Sequence, residues 1–311
     1  MAIKSALEKL ELRHLRYFIA LVEERNFERA AARLGIAQPA LSQQVQSLES
    51  IVGLSLVDRT RRGVHLSVSG ELLYQEARII LGQAQGALAS LNRVGRGETG
   101  RVYLSYVASA AFSGVALAAI STFRKNYPGV EFNLIEMEAR RQVDRILSGD
   151  LDLGIARAPV VVPEGVCVHV VRREPLVAVV CEGHVLSRRK HVQVKELADE
   201  PILTIRQPAE IGLHQVTIAA CNEAGINATI KPVGTDFTEL GTLVGIGMGV
   251  CIVAKSFERM QIPGVRFIPL TECETTSDLA IVYRKVERSP AVSNFIAHFQ
   301  ALARSGDFNN L

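Results

Sequence analysis

Leu12, Leu15, Ile19 and Val22 recur at helical spacing and predict an amphipathic helix close to the N-terminus. Asn26 offers a side-chain cap for a second helix through Ala30, Ala31 and Leu34, and Gly35 stops it. After the Gly35-Ile36-Ala37 turn, Gln38-Pro39 opens a third helix, because proline suits the first helical position. Its apolar stripe is Leu41, Val45 and Leu48 at i, i+4 and i+7. The opposite face carries Ser42, Gln43 and Gln46, with Gln38 and Pro39 at its tip: hydrogen-bonding groups with little charge.

From Gly53 the pattern shortens. Residues 54–67 read as two brief extended pieces around a turn that carries Arg59, Arg61 and Arg62, a winged hairpin. Ser67 then caps a long helix in which Leu73, Ala77, Ile80, Ala84, Ala87 and Leu91 alternate at spacings of four and three, a heptad seam. A helix over residues 67–93 spans on the order of 40 Å at 1.5 Å per residue, too narrow to bury such a stripe by itself. The simplest partner is a second copy of the same helix.

The glycine-rich segment Gly95-Arg-Gly-Glu-Thr-Gly100 breaks this pattern, and a strand–helix–strand rhythm follows. Short buried strands are expected at residues 102–107, 130–137, 151–156, 177–181, 202–205, 229–233 and 250–253, several separated by helix-length segments. That alternation predicts α/β layers with largely parallel sheets. Some 215 residues are long for one such layer pair, so two subdomains are expected. The crossings fall near Val171-Arg-Arg-Glu-Pro175 and Cys273-Glu-Thr-Thr-Ser277, and a final helix over 290–304 returns to the first subdomain.

Composition narrows the class. The 311 residues are 48% hydrophobic and 22% charged, an ordinary globular profile that excludes disorder along the whole chain. The most hydrophobic stretch, Gly241 to Ala254, is too short and glycine-rich for a membrane span, and the N-terminus lacks the layout of a signal peptide. A cytoplasmic protein without membrane contact is expected. The formal charge of +3 is unevenly placed: residues 1–95 hold 12 Lys+Arg against 9 Asp+Glu, and the remainder is balanced. A local basic excess fits a polyanionic partner. Cys167, Cys181, Cys221, Cys251 and Cys273 form no CxxC and read as reduced thiols. The seven histidines include no HxxxH or HExxH, so no metal is expected, and no cofactor. Gly245-Ile-Gly-Met-Gly follows a helix and precedes a strand, the reverse of a dinucleotide fingerprint. Asp150 and Asp152 read as capping and pairing groups. With no nucleophile–base pair, catalytic residues are not expected either, which sets aside an α/β enzyme carrying a nucleic-acid module.

Two short helices joined by a tight turn, the second presenting amides and a hydroxyl at its N-terminal end, are what major-groove readout needs. Gln pairs with adenine through its donor and its acceptor, Ser adapts to either, and the proline ring fits a thymine methyl. The wing arginines Arg59, Arg61 and Arg62 suit phosphates or a narrow minor groove.

The segments Arg16-Tyr-Phe-Ile-Ala, Asn26-Phe-Glu-Arg-Ala-Ala-Ala-Arg-Leu, Ala37-Gln-Pro-Ala-Leu-Ser-Gln-Gln-Val-Gln-Ser-Leu-Glu and Leu66-Ser-Val-Ser-Gly resemble the N-terminal signature of LysR-type transcriptional regulators. Phe123-Arg-Lys-Asn-Tyr-Pro-Gly-Val, Leu147-Ser-Gly-Asp-Leu-Asp-Leu-Gly-Ile and Gly245-Ile-Gly-Met-Gly-Val are similar to that family's effector-domain landmarks, so only residues 1–10 lie outside the resemblance. It implies an α/β protein with an N-terminal winged helix-turn-helix, a long dimerising linker helix and a bilobed, periplasmic-binding-protein-like effector domain. The corresponding boundaries are an extension at 1–11, the DNA-binding domain at 12–66, the linker at 67–95 and the effector domain at 96–311. Subdomain I would comprise about 96–172 and 276–311, and subdomain II about 173–275. The partners implied are double-stranded promoter DNA with an interrupted dyad, a small-molecule effector, further copies in a homodimer or homotetramer, and RNA polymerase. Base contacts fall to Gln38, Pro39 and Ser42, and phosphate or minor-groove contacts to the Arg59–Arg62 wing. Many relatives carry Arg or Lys where this chain has Gln43, which removes a phosphate charge and leaves a base reader.

In open α/β sheets ligands sit beyond the carboxyl ends of strands, where helix N-termini present free amides. Ser109 follows the first strand of the effector region, and Thr204, Arg206 and Gln207 follow a strand of the other subdomain; these four can converge on a carboxylate. The bland alternatives are a helix cap for Ser109 and a solvated surface role for Arg206. Relatives that regulate aromatic-acid catabolism hold small carboxylates where this chain places Ser109, Ala139, Leu213 and Phe237. Ala139 stands where some of them carry a hydroxyl, and Phe237 also reads as a core residue.

Overall fold

A computed structural model describes residues 7–60, 63–206, 212–234 and 236–310, in two compact units, Met1–Asn92 and Arg93–Leu311. The first unit opens with α1 (Leu12–Glu24), α2 (Phe27–Leu34) and α3 (Gln38–Val52). Asn26 caps α2 through Oδ1, which accepts from the backbone N–H groups of Glu28 (2.8 Å) and Arg29 (3.0 Å). Gly35 terminates it at φ +68°, a left-handed conformation that glycine adopts without a Cβ penalty. Pro39 lies in the first turn of α3, where its missing N–H costs nothing. Phe18, Leu21, Ala30, Ala31, Leu41, Val45 and Leu48 close the three helices into one core.

The wing is an antiparallel pair, β1 (Val57–Thr60) and β2 (Gly63–Leu66), with Val57 opposite Leu66. Glu49 near the end of α3 accepts from the N–H groups of Leu56 (2.8 Å) and Val57 (3.2 Å), so the reading helix and the wing are tied by one carboxylate. Ser67 caps α4 (Val68–Gly95) by accepting from Gly70 N–H at 3.0 Å. The expected seam divides in two. Leu73 and Ala77 pack inside the first unit, whereas Ile80, Ala87 and Leu91 are exposed, as are Leu72 and Leu88 beside them. The start of the seam is therefore consumed by the chain's own core.

In the second unit β3 (Thr99–Tyr106), β4 (Gly129–Glu136) and β5 (Leu153–Arg157) are parallel, and α7 (Ala139–Ser148) precedes β5. The helix expected after β3 is split into α5 (Ala108–Ala111) and α6 (Val115–Asn126). Ser113 donates to Ala110 O at 2.6 Å and accepts from Val115 N–H, and Gly114 turns the chain at φ +77°. β6 (Val166–Arg172) leads across to β7 (Leu176–Cys181), after which come β8 (Val192–Gln193), β9 (Ile202–Ile205), α8 (Gly212–Glu223), β10 (Ile230–Gly234), α9 (Phe237–Gly245), β11 (Cys251–Ala254) and β12 (Val265–Thr271). The chain returns through β13 (Leu279–Arg284) to α10 (Pro290–Ser305).

Two larger sheets result, ordered β4-β3-β5-β13-β6 and β11-β7-β12-β8, with β9 and β10 as a further parallel pair. They are mixed rather than largely parallel. β13 runs antiparallel to β5 and β6, and β7 antiparallel to β11 and β12. Strands β6, β8, β12 and β13 were not expected; β6, β12 and β13 flank the two crossings between the larger sheets. Pro269 and Arg266 within β12 disguise it as a loop, yet it pairs with β7 from Val265↔Cys181 to Pro269↔Val177. β7 is apolar throughout because both its faces are covered: Leu176, Ala178 and Val180 enter one cluster, Val177 and Val179 another. α10 lays Phe295 and Phe299 onto the first sheet, where Phe123 meets Phe295 edge-on at 5.1 Å.

A Cβ on Gly70 would lie 2.0 Å from the carbonyl oxygen of Leu56, and backbone cannot rotate aside as a side chain can. Gly70→Ala is expected to separate α4 from the wing and to destabilise the first unit by about 1–3 kcal/mol, read from the urea midpoint of the full chain.

Candidate nucleic-acid interface and effector cleft

On α3, Leu41, Val45 and Leu48 are buried, Gln38, Pro39, Gln43 and Gln46 are exposed, and Ser42 is half-buried. At 100° per residue these five positions fall within an arc of roughly 140°, one continuous face. The arginines of α2 are already engaged. Arg33 lies 2.7 Å from Glu23 and 3.3 Å from Glu24, and Arg29 donates to Glu24 O. Arg61, Arg62 and the Arg59 side chain lie outside what the structure describes, although Arg59 belongs to the backbone of β1. The site on this unit is a convex, amide-rich helix face, shaped for a groove.

In the second unit, Ser109 is buried in α5, and its carbonyl accepts from Arg157 Nη2 at 3.1 Å. Three residues on, the Phe112 carbonyl accepts from Arg259 Nη1 (2.7 Å) and its ring lies 5.5 Å from Phe257. Phe257 in turn contacts Phe237 at 4.2 Å, and Leu213 and Ile205 belong to the same cluster. Ser109, Leu213 and Phe237 are thus drawn to one region around Phe112 and Phe257, and Phe237 is half-buried there as a packing residue. Thr204 is fully buried and its hydroxyl has no hydrogen-bond partner. It shares the face of β9 occupied by Ile202, which packs with Val216 and Ala220 of α8. Arg206 is exposed, and its N–H donates to Gly234 O at 2.8 Å. Ala139 opens α7 behind Glu138, which supplies no side-chain cap, and packs with Val107 in a separate cluster. Gln207 lies outside the described residues.

The group that joins these pieces was not foreseen. Arg157, 8% exposed at the end of β5, donates from Nη1 to Glu174 Oε2 and to Ser277 O, both at 2.8 Å, and from Nη2 to Ser109 O and to Ser256 Oγ (3.3 Å). Ser256 also donates to Glu174 at 2.7 Å, and Arg172 lies 3.4 Å from the other Glu174 oxygen. Burial pulls the Arg157 guanidinium below the usual arginine range, opposed by the charge of Glu174. The partners lie 17, 48, 99 and 120 residues away, beyond any local pattern. The one available signal was a cation closing the apolar run Leu-Gly-Ile-Ala.

The remaining polar groups are structural. Asp152 pairs with Arg284 at 2.7 Å and accepts from Tyr103 N–H, reaching much further than a local cap. Burial pushes the Cys251 thiol up to about 12 and raises those of Cys221 and Cys273, which keeps them protonated and poorly nucleophilic. Among the described residues no group of three His, Cys, Asp or Glu side chains is placed to hold a metal, and no helix is long and apolar enough to cross a membrane.

A winged helix-turn-helix followed by a long helix and a ligand-binding-type α/β domain defines a DNA-binding regulator rather than an enzyme. Residues 12–71 match the model of the bacterial regulatory helix-turn-helix protein, lysR family, and residues 95–304 match the LysR substrate binding domain; the chain belongs to the LysR family of transcriptional regulators. It is 37% identical over 291 residues to the HTH-type transcriptional regulator YnfL of Escherichia coli (strain K12), covering 93% of this chain and 97% of that protein. It is 32% identical to the HTH-type transcriptional regulator AlsR of Bacillus subtilis (strain 168), covering 92% and 94%. The crystal structure of CbnR, a LysR family transcriptional regulator, matches with a TM-score of 0.80 at 25% identity, over 93% of this chain and all of that one. Full-length CbnR complexed with its target DNA matches at 0.78, with 25% identity over 94% and 100%.

Arg157→Leu would leave the buried Glu174 carboxylate without its 2.8 Å partner and with Arg172, at 3.4 Å, as its nearest cation among the described residues. We expect a loss of about 3–5 kcal/mol in the second unit, measured by urea unfolding of the full chain; a change below 1 kcal/mol would show that water reaches the carboxylate.

Proposed function

We propose that this regulator binds promoter DNA at an interrupted dyad as a homodimer or homotetramer, and that a small organic or aromatic carboxylate in its effector domain alters promoter binding and transcription. The functional parts are the reading head at 12–66, the linker at 67–95 and the effector domain at 96–311, with its subdomains meeting at the crossings. Gln38, Pro39 and Ser42 contact the bases, Gln43 and Gln46 belong to the same DNA-binding face, and Arg59, Arg61 and Arg62 meet the phosphates or minor groove. The observation that carries this is the exposed, hydrogen-bonding face of α3 opposite a fully buried stripe. The existence of a target-DNA complex for CbnR supports it. The exposed part of the α4 seam suits a second copy. Contact with RNA polymerase at the promoter completes the proposal, which places the protein in the cytoplasm and, when bound, on the nucleoid.

For the effector, Ser109, Thr204, Arg206 and Gln207 supply hydrogen bonds and charge, while Ala139, Leu213 and Phe237 supply an apolar wall. The gathering of Ser109, Leu213 and Phe237 around Phe112 and Phe257 supports this assignment. An effector acts only through different affinities for two states of the protein.

Footprinting with the full chain should protect one discrete dyad; uniform protection of any DNA would overturn the specific reading. Gln38→Ala should cost about 1–3 kcal/mol on the selected site and relax base preference, and equal losses on scrambled DNA would show that Gln38 does not read a base.

A panel of small aliphatic and aromatic acids should contain one that raises the melting temperature of the second unit in the full chain, because a ligand at 100 times its Kd stabilises by about 2.7 kcal/mol. If no acid shifts it while a neutral metabolite does, the carboxylate assignment is wrong.

A further inference from the structure

We propose that the glycine-rich segment Gly95–Gly100 is a rigid joint rather than a swivel: it fixes the last turn of α4 to the first turn of α10, with Asn294 as a positioning residue, so that a displacement of subdomain I enters α4 without slack. This rests on the regulatory role proposed above and adds the route by which the effector domain acts on the helix that leads to the reading head.

Gly95, Gly97 and Gly100, interleaved with Arg96, Glu98 and Thr99, have the composition of a flexible linker. Their contacts are those of a core turn. All of the segment lies in the second unit, which begins at Arg93. Gly97, at φ +68°, ends α4 in a Schellman turn: its N–H donates to Val94 O and the Glu98 N–H to Arg93 O, both at 2.9 Å. A helix-ending glycine ordinarily supplies only its φ. Gly35 and Gly53 end α2 and α3 at +68° and +72°, and a Cβ on either would meet nothing within 4 Å. A Cβ on Gly97 would lie 2.7 Å from the Pro290 carbonyl carbon, 2.8 Å from the Ala291 nitrogen and 2.6 Å from Asn294 Nδ2. Two of these atoms are backbone of α10, so the turn sits directly on that helix with no layer of side chains between them.

Asn294 closes the contact by donating from Nδ2 to Arg96 O at 2.9 Å, pairing one of the carbonyls that the end of α4 leaves without an intrahelical partner. α10 is itself held in place. Pro290 opens it, Ser289 caps it by accepting from Val292 N–H, and Ala291, Val292 and Phe295 are buried in the core of the first sheet. β4 takes the turn from another side: a Cβ on Gly129, opposite Thr99 in the parallel register, would lie 2.8 Å from Glu98 O and 3.2 Å from Arg93 Nη2. The last turn of α4 is thus gripped by α10 and β4, both of subdomain I. Backbone packed on backbone has no rotamer with which to yield. A ligand that displaces subdomain I therefore displaces the end of α4 with it.

The test is amide hydrogen exchange of the full chain, without DNA or ligand. The Gly97 and Glu98 amides should exchange as slowly as those of Val102 and Leu104 in β3. Asn294→Asp keeps the side-chain shape but removes the donor, and should speed exchange at Gly97 and Glu98 roughly 3- to 10-fold while Val102 and Leu104 are unmoved. Gly97→Ala should open the same two amides further; where it prevents folding, the Asn294 variant still decides. Transmission is read with the full chain on its selected DNA site, from the mobility of circularly permuted fragments: Asn294→Asp should change the DNA bend while affinity for one half-site stays at the wild-type value. Exchange of Gly97 and Glu98 at the rate of an unstructured peptide in the wild-type chain would overturn the rigid joint, as would unchanged exchange in Asn294→Asp. Opened amides with an unaltered bend would overturn the transmission. Selection of no DNA site would defeat the regulatory role itself, and the exchange result would still decide the joint.

Discussion

The buried guanidinium of Arg157 is the constraint around which the effector domain is organised. Removing a charge from water costs several kcal/mol unless a counter-charge and further hydrogen bonds replace the lost hydration. Glu174, Ser277, Ser109 and Ser256 provide that replacement. Their positions matter as much as their chemistry: Glu174 belongs to the first crossing between the sheets, Ser277 to the second, Ser109 to the helix after β3, and Ser256 to the turn after β11. The guanidinium can be satisfied only when all four segments stand in one arrangement, so the network specifies how the two sheets meet. Arg172 and Arg259 extend the same principle to the broken helix, through the carbonyls of Ser113 and Phe112.

That arrangement brings three of the residues proposed for the ligand, Ser109, Leu213 and Phe237, to one region. Phe112, Phe237 and Phe257 form an aromatic wall across the subdomains. Thr204 is held under α8 with an unpartnered hydroxyl. Under the proposed function, a ligand lying between the sheets would gain most when they hold a particular angle, which is the differential affinity an effector needs. The reading head follows the opposite logic. Its polar groups are kept out of the core, and one inward carboxylate, Glu49, fastens the reading helix to the wing.

The reading head was largely legible because its determinants are local. A cap at Asn26, a left-handed Gly35, a proline in the first turn of α3 and an apolar period of three to four each act within a few residues. The amide face of α3 follows from the same period. The effector domain was legible in part, with β7 and β11 both anticipated although they pair from distant positions. β9 was anticipated over residues 202–205, whereas β12 and β13 were missed. Their partners lie far away in sequence, and a proline in β12 signals a loop. Ser109 and Phe237 could be nominated from strand ends and helix starts, but nothing near them in the chain points to Arg157.

What the amino-acid sequence determined by itself, then, was periodicity and punctuation: three helices and a wing, a long helix with one apolar seam, and an α/β body of about the right size. The tertiary structure decided which part of that seam is spent on the chain's own core, which strands reverse direction to carry the chain between sheets, and which buried cation holds the crossings together. The physical reason is range. Capping, backbone sterics and amphipathic period act over one or two turns of chain, while desolvation of a charge is resolved only by groups that folding brings together from over a hundred residues apart.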